Sequence, residues 1–155
     1  DGELHMMTPA GPEHGRIVNN LAFLLTEHVR AHDLGEIFAA ETGFKLFADR
    51  ETVRAPDCAF VAKANLRDVP RGFYPGPPDL AIEVISPDQQ VGYVQDKIDD
   101  FLKAGAKQCW TVWPDTRTVT IHHPHQPPHT LRAEETLTAE DILPGFTCAL
   151  THIFR

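Results

Sequence analysis

At 155 residues, with 42% apolar and 8% aromatic side chains, the chain has the size of one domain, 1–155, and enough apolar matter for a core, which excludes a disordered polymer. No apolar run approaches the roughly 18 residues of a membrane span, and Asp1 to His5 lack the basic and then apolar pattern of a signal peptide. The formal charge of −8 counts against a large basic nucleic-acid footprint, although the carboxylates of a metal site would be part of that total.

The first predicted element is a helix over 12–31. Pro12 suits its first turn, and Ile17, Val18, Leu21, Leu24, Leu25, His28 and Val29 keep the helical period on one stripe, with His14 projecting onto its middle. Asp33-Leu34-Gly35 ends it. Strand-like runs follow over 36–47, which contains Glu41, and 52–61, which contains Pro56-Asp57. The stretch 63–78 holds four prolines and two glycines and reads as a connection. Leu80-Ala81-Ile82-Glu83-Val84-Ile85 is apolar on both parities, the pattern of a strand covered on both faces, and Ser86-Pro87 stops it.

A second helix is predicted over 93–104, with Gly105 as its stop. Strands over 108–112 and 118–121 are joined by the turn sequence Pro114-Asp115-Thr116-Arg117. The patch from His122 to His129 carries four histidines, but prolines interrupt it between two strand-like runs, 118–121 and 130–132, so a polar hairpin loop is favoured over a metal cluster. A turn over 141–146 and a helical turn over 150–154 close the chain. Cys58, Cys109 and Cys148 form no CxxC motif and are odd in number, which suits buried thiols in a reducing cytoplasm better than zinc ligation. The order of elements gives α/β or α+β with one mixed central sheet flanked by helices.

The chemical signal is an acid inside an apolar strand. An ionised Glu83 buried on both sides costs several kcal/mol unless it is paired or bound to a cation. A structural salt bridge, or a bend that exposes the residue, are the alternatives. Asp57 falls at a strand entrance behind Pro56. Asp79, after Pro77-Pro78, has the same look but also that of a turn residue. Lys97 sits at the margin of the apolar stripe of the second helix, aimed towards the sheet, while Asp96, Asp99, Asp100 and Lys103 fall opposite. It is either a snorkelling lysine or one brought to the carboxylates. Two carboxylates on neighbouring strand ends can hold a hard divalent cation, a lysine can act on the attacking water or the transition-state charge, and Glu41 can add an oxygen.

These residues resemble a known family. Pro56-Asp57, the block from Pro78 to Pro87, Lys97 with Phe101-Leu102-Lys103-Ala104-Gly105, and Trp110-Thr111-Val112 are similar to the Uma-two family of bacterial restriction-endonuclease-like proteins. Asp1-Gly2-Glu3-Leu4, His14 with Ile17, the block from Asp141 to Phe146 and Ile153-Phe154 extend the match over nearly the whole chain. The resemblance implies a PD-(D/E)XK restriction-endonuclease-like core and Mg²⁺- or Mn²⁺-dependent hydrolysis of DNA. It implies Asp57 and Glu83 as the two acids, and Lys97 as the replacement for the lysine two residues past the second acid, where Ile85 stands. His14 and Asp79 are accessory candidates, a core histidine being the other reading of His14. A homodimer is implied as well. Tyr93 and Trp113 depart from the family pattern, each standing where an acid is usual. The competing reading is a catalytically inactive or partner-dependent binding module on the same scaffold. If lysine serves the chemistry alone, Lys97→Met abolishes turnover and spares folding and metal affinity.

Overall fold

Proline at the first position, with its fixed φ and no N–H to satisfy, starts α1 (Pro12–Ala31), and Ile17, Leu21, Leu25 and Val29 form its buried stripe. The computed structural model describes residues 8–68 and 71–155; Asp1-Gly2-Glu3-Leu4 of the family resemblance lies outside them. After α1, β1 (Gly35–Ala39) begins at a glycine with φ 152°, whose added Cβ would lie 2.1 Å from the Val61 carbonyl oxygen. Only glycine allows the two backbones this approach.

The described residues then form β2 (Phe44–Lys45), β3 (Val53–Arg54), β4 (Cys58–Ala62), β5 (Tyr74–Pro75), β6 (Leu80–Val84), α2 (Val91–Ala104), β7 (Gln108–Trp113), β8 (Thr118–His122), β9 (His129–Leu131), β10 (Thr136–Thr138), β11 (Thr147–Ala149) and α3 (Leu150–Ile153). The central sheet has the order β1-β4-β6-β7-β8-β9. It is antiparallel except where β6 runs parallel to β7, and α2 makes that crossover. A small sheet, β3-β2-β5, and a pair, β10-β11, complete the architecture. The result is a mixed α/β fold with a mixed central sheet and three helices among the described residues.

Alternation along the strands sorts the core into two layers. Cys58, Phe60, Leu80, Ile82 and Val84 join the stripe of α1 in one cluster. Ala59, Val61, Ala81 and Ile85 join Val94, Ile98 and Phe101 of α2, with Phe44 and Tyr74 of the small sheet, in the other. Glu83 has the parity of Ala81, so the fold turns its carboxylate towards α2.

Several expectations change. The run 36–47 is not one strand: Ala40 and Glu41 form a turn, with Glu41 at φ 67°, and β2 belongs to the small sheet. The run 52–61 breaks around Pro56, which has no N–H to extend a ladder. The connection 63–78 contains a 3-10 turn, Lys63–Asn65, and β5, and β10 and β11 were not predicted. The histidine patch forms the β8–β9 hairpin, and the three cysteines are buried free thiols.

Candidate functional site

The β4–β6 register pairs Phe60 with Leu80, Ala59 with Ala81 and Cys58 with Ile82. Continued by one residue, it sets Asp57 opposite Glu83, and facing side chains in such a position have Cβ atoms about 5 Å apart. The ladder itself stops there. The Val84 N–H instead donates to Asp57 Oδ2 over 2.8 Å, so the carboxylate takes the place of a backbone acceptor. From the start of α1, His14 Nε2 lies 3.3 Å from the same oxygen.

Glu83 is 4% exposed. Lys97, 6% exposed on α2, donates from Nζ to Glu83 Oε2 over 2.8 Å. Glu83 Oε1 is buried with no hydrogen-bond partner. Burial pushes the Glu83 carboxyl up to about 7; Asp57 adds to the rise, while Lys97 and Arg54 pull it back. Because the folded value lies above the unfolded one, Glu83 adds stability fully below about pH 4.5 and loses it as pH rises through about 7. The change is on the order of 3 kcal/mol. Urea unfolding between pH 4.5 and 8 will show this decline in the parent, and Glu83→Gln will flatten it.

A second charged layer surrounds this pair. Arg54, on β3, donates from Nε and Nη2 to Asp100 Oδ2 of α2 over 3.0 and 2.7 Å. The Tyr93 ring lies between two cations, with Lys97 Nζ 5.5 Å and Arg54 Cζ 5.7 Å from its centroid. On β7, Thr111 is the register partner of Glu83, and its Oγ1 accepts from the Trp113 indole over 3.1 Å. Trp113 is thus bonded to the register partner of Glu83 as well as ending a strand.

The structure brings Asp57, Glu83, Lys97 and His14 together. It does not bring Glu41 to them: that residue is exposed in the turn after β1. No group of three or more His, Cys, Asp or Glu side chains converges as a metal cluster among the described residues. Asp79 is also set apart, at the other end of β6 and about 13 Å along the strand. Its Oδ2 accepts from Ala62 N over 2.7 Å, Asn65 Nδ2 donates to both of its oxygens, and Lys107 Nζ lies 3.3 Å from Oδ1. These contacts tie the β4 exit to β6, a structural knot rather than an accessory ligand. Asp100, which the helical wheel placed on the far side of α2, instead meets Arg54 because the small sheet covers that flank.

Arg54 was missed in the sequence. No periodic pattern marks it; the available signal was its place three residues before Asp57 in an otherwise acidic chain.

The chain matches the Uma2 family, described as "Putative restriction endonuclease", over residues 1–151. Its fold is similar to that in the crystal structure of a putative nuclease belonging to DUF820 from Anabaena variabilis ATCC 29413. The TM-score is 0.83 at 20% identity, and the alignment covers 97% of this chain and 84% of that one. No curated protein matches the chain. No helix of the described residues is long and apolar enough to cross a membrane. With a nuclease-like fold and the family pattern matched almost end to end, the chain belongs to the Uma2 family.

Proposed function

We propose that the protein hydrolyses DNA phosphodiester bonds with a divalent cation, Mg²⁺ or Mn²⁺, held by Asp57 and Glu83. The observation that carries this reading is Glu83 Oε1, a buried oxygen without a hydrogen-bond partner, on the residue that the continued β4–β6 register sets opposite Asp57. A buried acceptor of this kind is costly unless something fills its lone pairs. Two acids suit Mg²⁺, which keeps several waters and the substrate phosphate in its shell. When bound, the cation supplies Lewis acidity towards a phosphoryl oxygen and lowers the pKa of a coordinated water.

The chain's own groups do the positioning. The Val84 N–H fixes the Asp57 carboxylate, and Lys97 fixes that of Glu83. Lys97 also places a positive charge where negative charge builds on the phosphoryl group. The expected homodimer and cytoplasmic setting belong to the same proposal, since two copies of such a site can cut both strands of a duplex.

Calorimetric titration with Mn²⁺ and a plasmid-nicking assay test the reading. The parent binds Mn²⁺ and nicks DNA, and Asp57→Ala loses both. A parent that binds Mn²⁺ yet leaves supercoiled, linear and single-stranded DNA intact supports the binding-module reading, which the net charge of −8 and the basic partner beside each acid favour.

A further inference from the structure

We propose that Arg54 is a phosphate-positioning residue: its guanidinium, held by Asp100, seats the DNA backbone next to the Asp57–Glu83 pair. This rests on the nuclease reading above. Three observations carry it.

The first is contact. Arg54 lies against the Tyr93 ring, the same ring lies against Lys97, and Lys97 is bonded to Glu83, a continuous path of 5.7, 5.5 and 2.8 Å. The second is valence. An arginine has five N–H donors in a planar fork. Arg54 commits Nε and Nη2, and both go to one oxygen of Asp100. A single carboxylate oxygen anchors the side chain and leaves the remaining N–H groups for an oxyanion, the geometry in which arginine binds phosphate well. The third is charge. Residues 45–71 carry six of the 14 Lys and Arg residues, namely Lys45, Arg50, Arg54, Lys63, Arg67 and Arg71. Only four acids, Asp49, Glu51, Asp57 and Asp68, stand among them in a chain whose net charge is −8. This window runs from the small sheet through β4 to the turn after it, where Lys63 is paired with Asp33, so its basic excess near the acids comes from Lys45, Arg50 and Arg54 of the β2–β3 segment. In the β2–β3 register Arg54 pairs with Phe44, whose side chain packs in the α2 layer, so Arg54 is the cation of that segment turned inward to α2.

Arg54 is not assigned a chemical step. It orients the strand so that a scissile phosphate meets the acids, and its loss weakens binding more than it slows the bound complex.

The test compares the parent with Arg54→Met, Arg54→Lys and Asp100→Asn, by fluorescence anisotropy on a labelled DNA duplex with Ca²⁺ in place of Mg²⁺, over a range of salt. Arg54→Met should weaken binding roughly tenfold and lower the slope of log K against log salt by about one. Arg54→Lys should recover the slope but only part of the affinity. Asp100→Asn keeps the cation and should keep the slope. In nicking assays Arg54→Met should raise KM more than it lowers kcat.

An Arg54→Met protein with the parent slope overturns the inference. So does an Asp100→Asn protein that fails as badly as Arg54→Met, because the ion pair alone would then be what matters. A parent that binds no duplex under any of these conditions overturns the nuclease reading itself, and the inference with it.

Discussion

Glu83→Gln should lower cation-dependent DNA nicking at pH 7 by roughly 10³-fold. The substitution keeps the shape of the side chain and an oxygen able to accept from Lys97, but it removes the negative charge that would hold a cation beside Asp57. It also leaves the Lys97 ammonium buried without its counter-ion. Breaking a buried pair from one side costs about 3–5 kcal/mol, less where an amide oxygen still accepts the hydrogen bond. Far-UV circular dichroism and urea melts must therefore accompany the assay, and nicking is read only where the variant is folded. Mn²⁺ titration gives a second readout, with affinity falling alongside activity. A folded Glu83→Gln protein that nicks within a factor of ten of the parent would remove this carboxylate from the chemistry.

Lys97→Met should abolish nicking as well, but by a different route. The sequence alone suggested that such a variant keeps its folding and metal affinity. The buried contact between Lys97 Nζ and Glu83 Oε2 changes that expectation. Lys97 is the largest influence drawing the Glu83 carboxyl down from the level that burial sets, and the balance in the parent is about 7. Without it the carboxyl rises further and is mostly protonated at neutral pH. Mn²⁺ affinity at pH 7 should fall about tenfold for each unit of that rise, and should return as the pH is raised. Nicking should stay lost at every pH, because the positive charge beside the phosphoryl group is gone. Folding follows the same sign. A carboxyl whose folded value lies above the unfolded one stabilises the protein below both and loses that contribution above both, so the fall in melting temperature from pH 5 to pH 8 should be larger in Lys97→Met than in the parent. A pH 5 to pH 8 difference in melting equal to the parent's, together with unchanged Mn²⁺ affinity at pH 7, would show that Lys97 does not govern Glu83.

Much of this site was legible in residue patterns, and the reasons are local. The bounds of α1 follow from Pro12 and a clean helical stripe, and β6 from six residues apolar on both parities. An acid in that strand is conspicuous because nothing around it is polar. Asp57 was readable through Pro56, which starts a new strand. What failed depended on contacts distant in the chain. Glu41 was assigned to a strand because 36–47 alternates loosely, but a left-handed turn at that residue divides the run between two sheets. Asp79 looks as acidic as Asp57 in the sequence; only the fold shows that Ala62, Asn65 and Lys107 already occupy it. The pairs β10-β11 and β2-β5 are two or three residues long, too short for alternation to register.

The Asp57 carboxylate serves as a splice where the β4–β6 ladder gives out, accepting the Val84 N–H that a longer strand would have satisfied with its own backbone. A relative that carries out no hydrolysis would still need some acceptor there to close its sheet. An aspartate at this place therefore testifies to architecture as much as to catalysis. The buried glutamate, with one oxygen left idle after Lys97 has taken the other, is the better marker of a cation site.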